Sequence, residues 1–154
     1  MNGTRGRRGP MRALIVFGLL GLLGAAPGAQ RGERFRGRLS VLPVDPATAR
    51  TMSGSGEARA TLTGHSLVIT GTFEGLSSPA TVAHIHRAPP ARRGPVAFTV
   101  EVTTATSGEV SGSLELDDAQ IQALRHSEYY VQIHTENNAG GEIRGWLMPQ
   151  DPSR

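Results

Sequence analysis

The sequence predicts an all-β domain: an antiparallel, Greek-key-like β-sandwich of about eight strands, with one short helix near 117–126. Three observations carry this expectation. Twenty glycines, ten prolines and many Thr and Val residues favour short extended segments broken by tight turns. Apolar residues recur with a period of two in successive segments, as half-buried strands require, and a helical spacing is sustained only once. Turn residues separate these segments at regular intervals, with no internal repeat.

The chain opens with a segment that stands apart. Residues 1–29 have the make-up of a secretory signal: arginines, then the apolar run Ala13 to Leu23, then the small residues Gly24 to Ala29. The run is shorter than the roughly 20 apolar residues that span a bilayer, so no stable membrane anchor is expected after cleavage; a retained N-terminal anchor is the competing reading. Met11 is a second candidate start, because Met11 to Gln30 is a complete signal alone. Arg7-Arg8 suggests twin-arginine export, against which Gly9-Pro10 count. Residues 30–34 are expected to be a flexible lead-in, 35–148 the folded domain and 149–154 a polar tail.

Within the domain, Phe35, Gly37, Leu39 and Val41 alternate with Arg36, Arg38, Ser40 and Leu42, a first strand. Pro43, Pro46 and Ser53 to Gly56 make a long loop. Glu57 to Leu62 and Ser66 to Glu74 form a hairpin across Gly64-His65. Thr81 to His86 is the next strand. Arg87 to Pro95 is a loop, because its prolines forbid helix or central strand. Val96, Phe98, Val100 and Val102 define a further strand, and Val110 to Leu116 another. Asp117 to His126 is the helix, capped by Asp117 or Asp118, with Ile121, Leu124 and Ala119 as its apolar stripe. Tyr129 to Leu147 closes the domain as a hairpin around Asn137, Asn138, Gly140 and Gly141.

Composition excludes several functions. Cysteine is absent, which removes disulfides, thiolate metal sites and a lipid-anchored cysteine. All sixteen basic residues are arginine. The formal charge is +3, yet four arginines lie in residues 1–29, and the rest of the chain sums to −1. Without a clustered basic, aromatic-bearing surface, nucleic acid is not an expected partner. No phosphate-cradling loop, nucleophile elbow or acid/base carboxylate pair stands out.

The chemistry therefore rests on histidines. His84 and His86 are two residues apart on one strand, so they share a face roughly 6.6 Å apart. His134 alternates with Val131 and Ile133, which belong to the core with Ile85. If these two strands are neighbours, His84, His86 and His134 form a three-imidazole cluster suited to zinc or copper. Tyr130, Gln132, Glu142 and Arg144 are expected on the same polar face, as residues that orient the imidazoles or contact a ligand. Pro89 to Pro95 is placed to act as a lid. Two other uses of these histidines remain open: hydrogen bonding to Thr135, Glu142 or loop carbonyls, and a ligand patch without metal. His65 and His126 read as solvent-exposed. Glu142 and Arg144 form an exposed ion pair if they are not buried beside His134.

At VAHIHRAP, RRGPVAF and YVQIHTENNAGGEIRGWL, with SGSGEARATL, FEGLSSPATVAHIH and SGSLELDDAQIQAL around them, the chain resembles the CHRD (chordin-type) domain over roughly residues 35–148. It departs from that family's bacterial members after His86, where Ala88, Pro89, Pro90 and Ala91 replace a Gly-rich turn. The resemblance implies a β-sandwich module acting outside the cytoplasm. A weaker similarity is to copper–zinc superoxide dismutase, in the H-x-H strand and in Asn138-Ala139-Gly140 with Arg144 at the place of an anion-guiding arginine. That family's full histidine set and its disulfide are missing. The leading expectation is a secreted or periplasmic, non-catalytic binding module, whose partner is an extracytoplasmic protein, a glycan or a metal ion. The alternative is a copper- or zinc-dependent metalloenzyme of dismutase-like type.

Overall fold

The computed structural model describes residues 2, 32–41, 46 and 49–150; the segment 1–29 expected as a signal lies outside them apart from Asn2. In chain order the elements are β1 (Glu33–Val41), β2 (Ser55–Thr63), β3 (Ser66–Glu74), β4 (Ala80–Arg87), β5 (Val96–Val102), β6 (Gly108–Glu115), α1 (Asp118–Arg125), β7 (Tyr129–Thr135), β8 (Ile143–Trp146) and a two-residue β9 (Met148–Pro149). Glu33 and Arg34, expected in the lead-in, are already strand. Ser55 and Gly56 belong to β2 rather than to a loop, and Pro149 pairs with Phe35 instead of opening a tail.

The sandwich expectation is corrected to a closed barrel. The strand order is β2-β3-β6-β5-β4-β7-β8-β1, and β1 pairs back onto β2, so eight strands form a ring with every neighbour antiparallel. Strands β3 to β6 make a Greek key, because β3 lies beside β6 and not beside β4. The seam is β1. It matches β2 along Glu33 to Ser40, while Ser40 and Val41 pair with β8 and Phe35 and Arg36 with β9. Closure there needs a residue without a side chain, since a Cβ on Gly145 would collide with the Arg38 carbonyl oxygen. Sandwich and barrel share the same inward alternation, which is why strand patterns alone do not separate them.

The inward positions hold Leu39, Ile69, Ile85, Val110, Val131, Ile133, Ile143 and Leu147, all buried. Burying such side chains is worth roughly 1.5–3 kcal/mol each and dominates the stabilisation of the ring. α1 joins the core through Ile121, Ala123 and Leu124; Ala123 takes the place expected for Ala119. The Asp117 carboxylate accepts the Gln120 N–H at 2.8 Å and the Gln120 amide oxygen accepts the Asp117 N–H at 2.9 Å, a capping box. Arg125, in the last turn, pairs with Glu33 and ties the helix to β1. No helix among the described residues is long and apolar enough to cross a membrane.

Candidate metal centre

Three adjacent strands build the site on the outer face of the barrel. In β4, Ala83 and Ile85 point inward, so His84 and His86 point outward. In β7, Val131 and Ile133 are inward and Tyr130, Gln132 and His134 outward. Register sets Gln132 opposite His84 and Tyr130 opposite His86, with His134 diagonal to His84. On the other side of β7, Arg144 faces Gln132 and Trp146 faces Tyr130. A register shift against β5 between Ile85 and His86, where Ala97 is left without a partner, marks a bulge beside the site.

This outer face is not a solvated one. His86, Gln132, His134 and Arg144 are buried, because the loop 87–95 and the β7–β8 turn fold over them. The loop is tied down at three points. The Trp146 indole N–H donates to the Ala88 carbonyl at 3.0 Å, Gly94 N–H donates to the Tyr130 hydroxyl at 3.2 Å, and Arg87 N–H to the Pro95 carbonyl at 3.0 Å. Gly94 has to be glycine for this path, since a Cβ there would collide with the Arg87 carbonyl. The lid position expected for Pro89 to Pro95 is thus occupied by a fixed strap.

The strap and the turn orient the imidazoles through carbonyls. His86 Nδ1 lies 2.9 Å from the Gly94 oxygen and His134 Nδ1 2.8 Å from the Ala139 oxygen. A carbonyl only accepts, so both rings carry their proton on Nδ1 and present Nε2 as a bare lone pair. His134 Nε2 lies 3.2 Å from His84 Nδ1 and 3.2 Å from the Gln132 amide nitrogen, which also donates to the Gly140 carbonyl. His86 stacks on Tyr130 with centroids 4.9 Å apart and planes within 5°. One potential ligand atom from each of His84, His86 and His134 lies within 4.8 Å of the others, and His86 Nε2 is buried with no hydrogen-bond partner.

Electrostatics favour the neutral forms of His84 and His86. Burial lowers the pKa of His84, and the neighbouring His134 and His86 lower it further. Burial lowers His86 as well, opposed by its bond to Gly94 and reinforced by His134 and Arg144. Neutral imidazole is the form that binds a metal ion.

Glu142 requires a correction. It neither sits beside His134 nor pairs with Arg144. Its side chain passes to the opposite side of the sheet, where it is 0 % exposed. There it accepts hydrogen bonds from the Thr135 hydroxyl at 2.6 Å, Ser77 N–H at 2.8 Å and Ser53 N–H at 2.9 Å. Asn138 joins the same network, donating to the Thr51 carbonyl and the Ser77 hydroxyl. Alternation fails here because Glu142 precedes β8 and follows Gly141, whose φ of 103° turns the chain. Burial alone would raise the Glu142 carboxyl, but the hydrogen bonds from Thr135, Ser53 and Ser77 outweigh it and hold the pKa below the ordinary 4.5.

Arg144 stays on the histidine side, over the rings of Tyr130 at 5.5 Å and Trp146 at 5.0 Å. His65 is exposed, with Nδ1 on the Leu116 carbonyl, and His126 caps the C-terminus of α1; neither joins the cluster. The sequence offers loop carbonyls as partners of the histidines and Pro89 to Pro95 as a lid, but does not single out Gly94 and Ala139 as the acceptors. Only Gly94-Pro95 hints at them, since backbone acceptors carry no residue signature.

No curated protein and no solved structure was found to match this chain. The family model for the CHRD domain does match, over residues 37–147, a span that runs from β1 through β8 and includes all three clustered histidines. With most of its length inside that match, the chain belongs to the CHRD-domain family.

Proposed function

We propose that this CHRD barrel is a non-catalytic, extracytoplasmic binding module that takes up a zinc or copper ion through His84, His86 and His134. The observation that carries the reading is the buried, unpartnered Nε2 of His86, in a ring whose other nitrogen is already committed to Gly94. A buried acceptor left without a donor is costly, and a metal ion is a natural occupant where two more imidazole nitrogens converge. Tetrahedral zinc with bonds of about 2.0–2.1 Å puts ligand nitrogens roughly 3.3 Å apart. The closest pair stands at 3.2 Å and the widest separation is within 4.8 Å, so a shift of about an ångström closes the set. Burial-lowered pKa values favour the neutral, ligating rings.

The location rests on residues 1–29, which have the features of an export signal, and on the family assignment. A metalloenzyme is the second reading. Three protein ligands leave a coordination position open, as catalytic zinc sites do. Against it, the buried carboxylate of Glu142 lies on the other side of the sheet and is engaged by three donors, so it does not serve the cluster as an acid/base partner.

Elemental analysis of the purified protein, with the His84→Ala/His86→Ala variant alongside, tests the assignment. About one equivalent of zinc or copper in the wild type and none in the variant is expected. Equal metal content in both would overturn it and leave the histidines as hydrogen-bonding groups of the sheet. Superoxide consumption or hydrolysis faster than that of the free ion would replace the non-catalytic reading with the enzymatic one.

A further inference from the structure

We propose that the open cleft between β1 and β8 binds an organic carboxylate, its charge met by the Arg144 and Arg38 guanidiniums and its body lying against Trp146. The first observation is the state of Arg144. It is only 7 % exposed, no carboxylate pairs with it among the described residues, and its Nη1 is buried without a hydrogen-bond partner. A buried guanidinium with no counter-anion is an incomplete arrangement, because desolvating a cation is tolerated only where an anion compensates it. Stacking on Tyr130 and Trp146 holds the group in one orientation, as recognition of a planar carboxylate requires.

The second observation is the cleft itself. It encloses about 550 Å³ beside Arg144 and is lined also by Arg36, Arg38, Ser40, Trp146 and Met148, with no acidic side chain on its walls among the described residues. Arg36 is engaged by Glu57, whereas Arg38 is exposed and has no ion-pair partner among the described residues. Arg93, on the strap, adds positive charge near Arg144. The apolar part of the wall is unusual for a surface: Val41 and Met148, two of the large hydrophobic residues left exposed, both line it. Arginines interspersed with Trp146, Met148 and Val41 along the cleft fit a carboxylate on a flat, partly apolar body better than a free inorganic anion.

The single tryptophan of the chain is Trp146, so its fluorescence reports this cleft directly. The titration uses the full chain after treatment with a chelator, which makes its outcome independent of the metal reading. Benzoate is the probe, benzamide its neutral isostere, and inorganic phosphate the competing anion. A saturable change with benzoate, none with benzamide and a weaker response to phosphate is expected. Arg38→Gln should weaken benzoate by roughly tenfold, and Arg144→Gln by at least as much. Should Arg144→Gln fail to fold, the exposed Arg38→Gln variant decides alone. Equal response to benzamide, no saturable response, or wild-type affinity in Arg38→Gln would overturn the proposal. Tighter binding of phosphate than of benzoate would overturn the carboxylate class.

Discussion

Replacing Glu142 by glutamine tests the account of how the loops are fastened to the barrel. The carboxylate, itself fully buried, accepts from the buried Thr135 hydroxyl and from the N–H groups of Ser53 and Ser77. Hydrogen bonds to a charged group contribute about 1.5–3 kcal/mol each, and a neutral amide keeps acceptance at one oxygen while losing the charge assistance. The substitution should therefore cost about 2–4 kcal/mol at neutral pH, measured by urea unfolding of wild type and variant side by side. The pH dependence has a definite sign. The folded pKa of Glu142 lies below its unfolded value of 4.5, so its stabilisation is complete above 4.5 and fades as the pH falls through the folded value. Glu33 and Glu57 are also lowered, chiefly by hydrogen bonds from Arg125 and Arg36, and weaken in acid too. The informative quantity is thus the difference between wild type and Glu142→Gln, which should shrink in acid. A difference below half a kcal/mol at neutral pH, or one that persists unchanged in acid, would refute the reasoning.

Three further outcomes follow. Ile133→Ala, at a fully buried inward position of β7, should cost about 2–5 kcal/mol in chemical denaturation, and a near-neutral result would reverse the assigned faces of that strand. Gly94→Ala should push the strap off Arg87 and carry the Gly94 carbonyl away from His86, costing about 1–3 kcal/mol and lowering zinc affinity in a competition titration. Zinc at a hundredfold excess over its dissociation constant should stabilise the wild type by about 2.7 kcal/mol, read as a rise in melting temperature, and leave His86→Ala unmoved.

Parity along single strands was legible, because side-chain direction alternates strictly wherever pairing is regular. Odd positions of β7 and β4 line the core and the histidines stand behind them, as the spacing alone implies. Ring closure was not legible. Ser40 meets Arg144 across more than a hundred residues, and no local pattern announces such a pairing. Glu142 shows the limit of extrapolating alternation through a turn, since one positive-φ glycine resets which side the next residue takes. The covering of the polar face was legible only in part, as a lid at Pro89 to Pro95. It depends on where the main-chain oxygens of Gly94 and Ala139 end up, and those atoms are the same in every residue.

The placement of β1 has a consequence for assembly. Its two flanks are claimed by segments from opposite ends of the domain, β2 soon after it and β8 and β9 at the far end. A nascent chain can zip the early hairpins, yet one flank of β1 stays unmet until the last strands emerge. Such long-distance pairing places the molecule among slow folders, on the millisecond-to-second scale typical of non-local β topologies. Cutting the chain before Ile143 would leave that flank open to self-association, so the intact carboxyl-terminal hairpin also protects against aggregation.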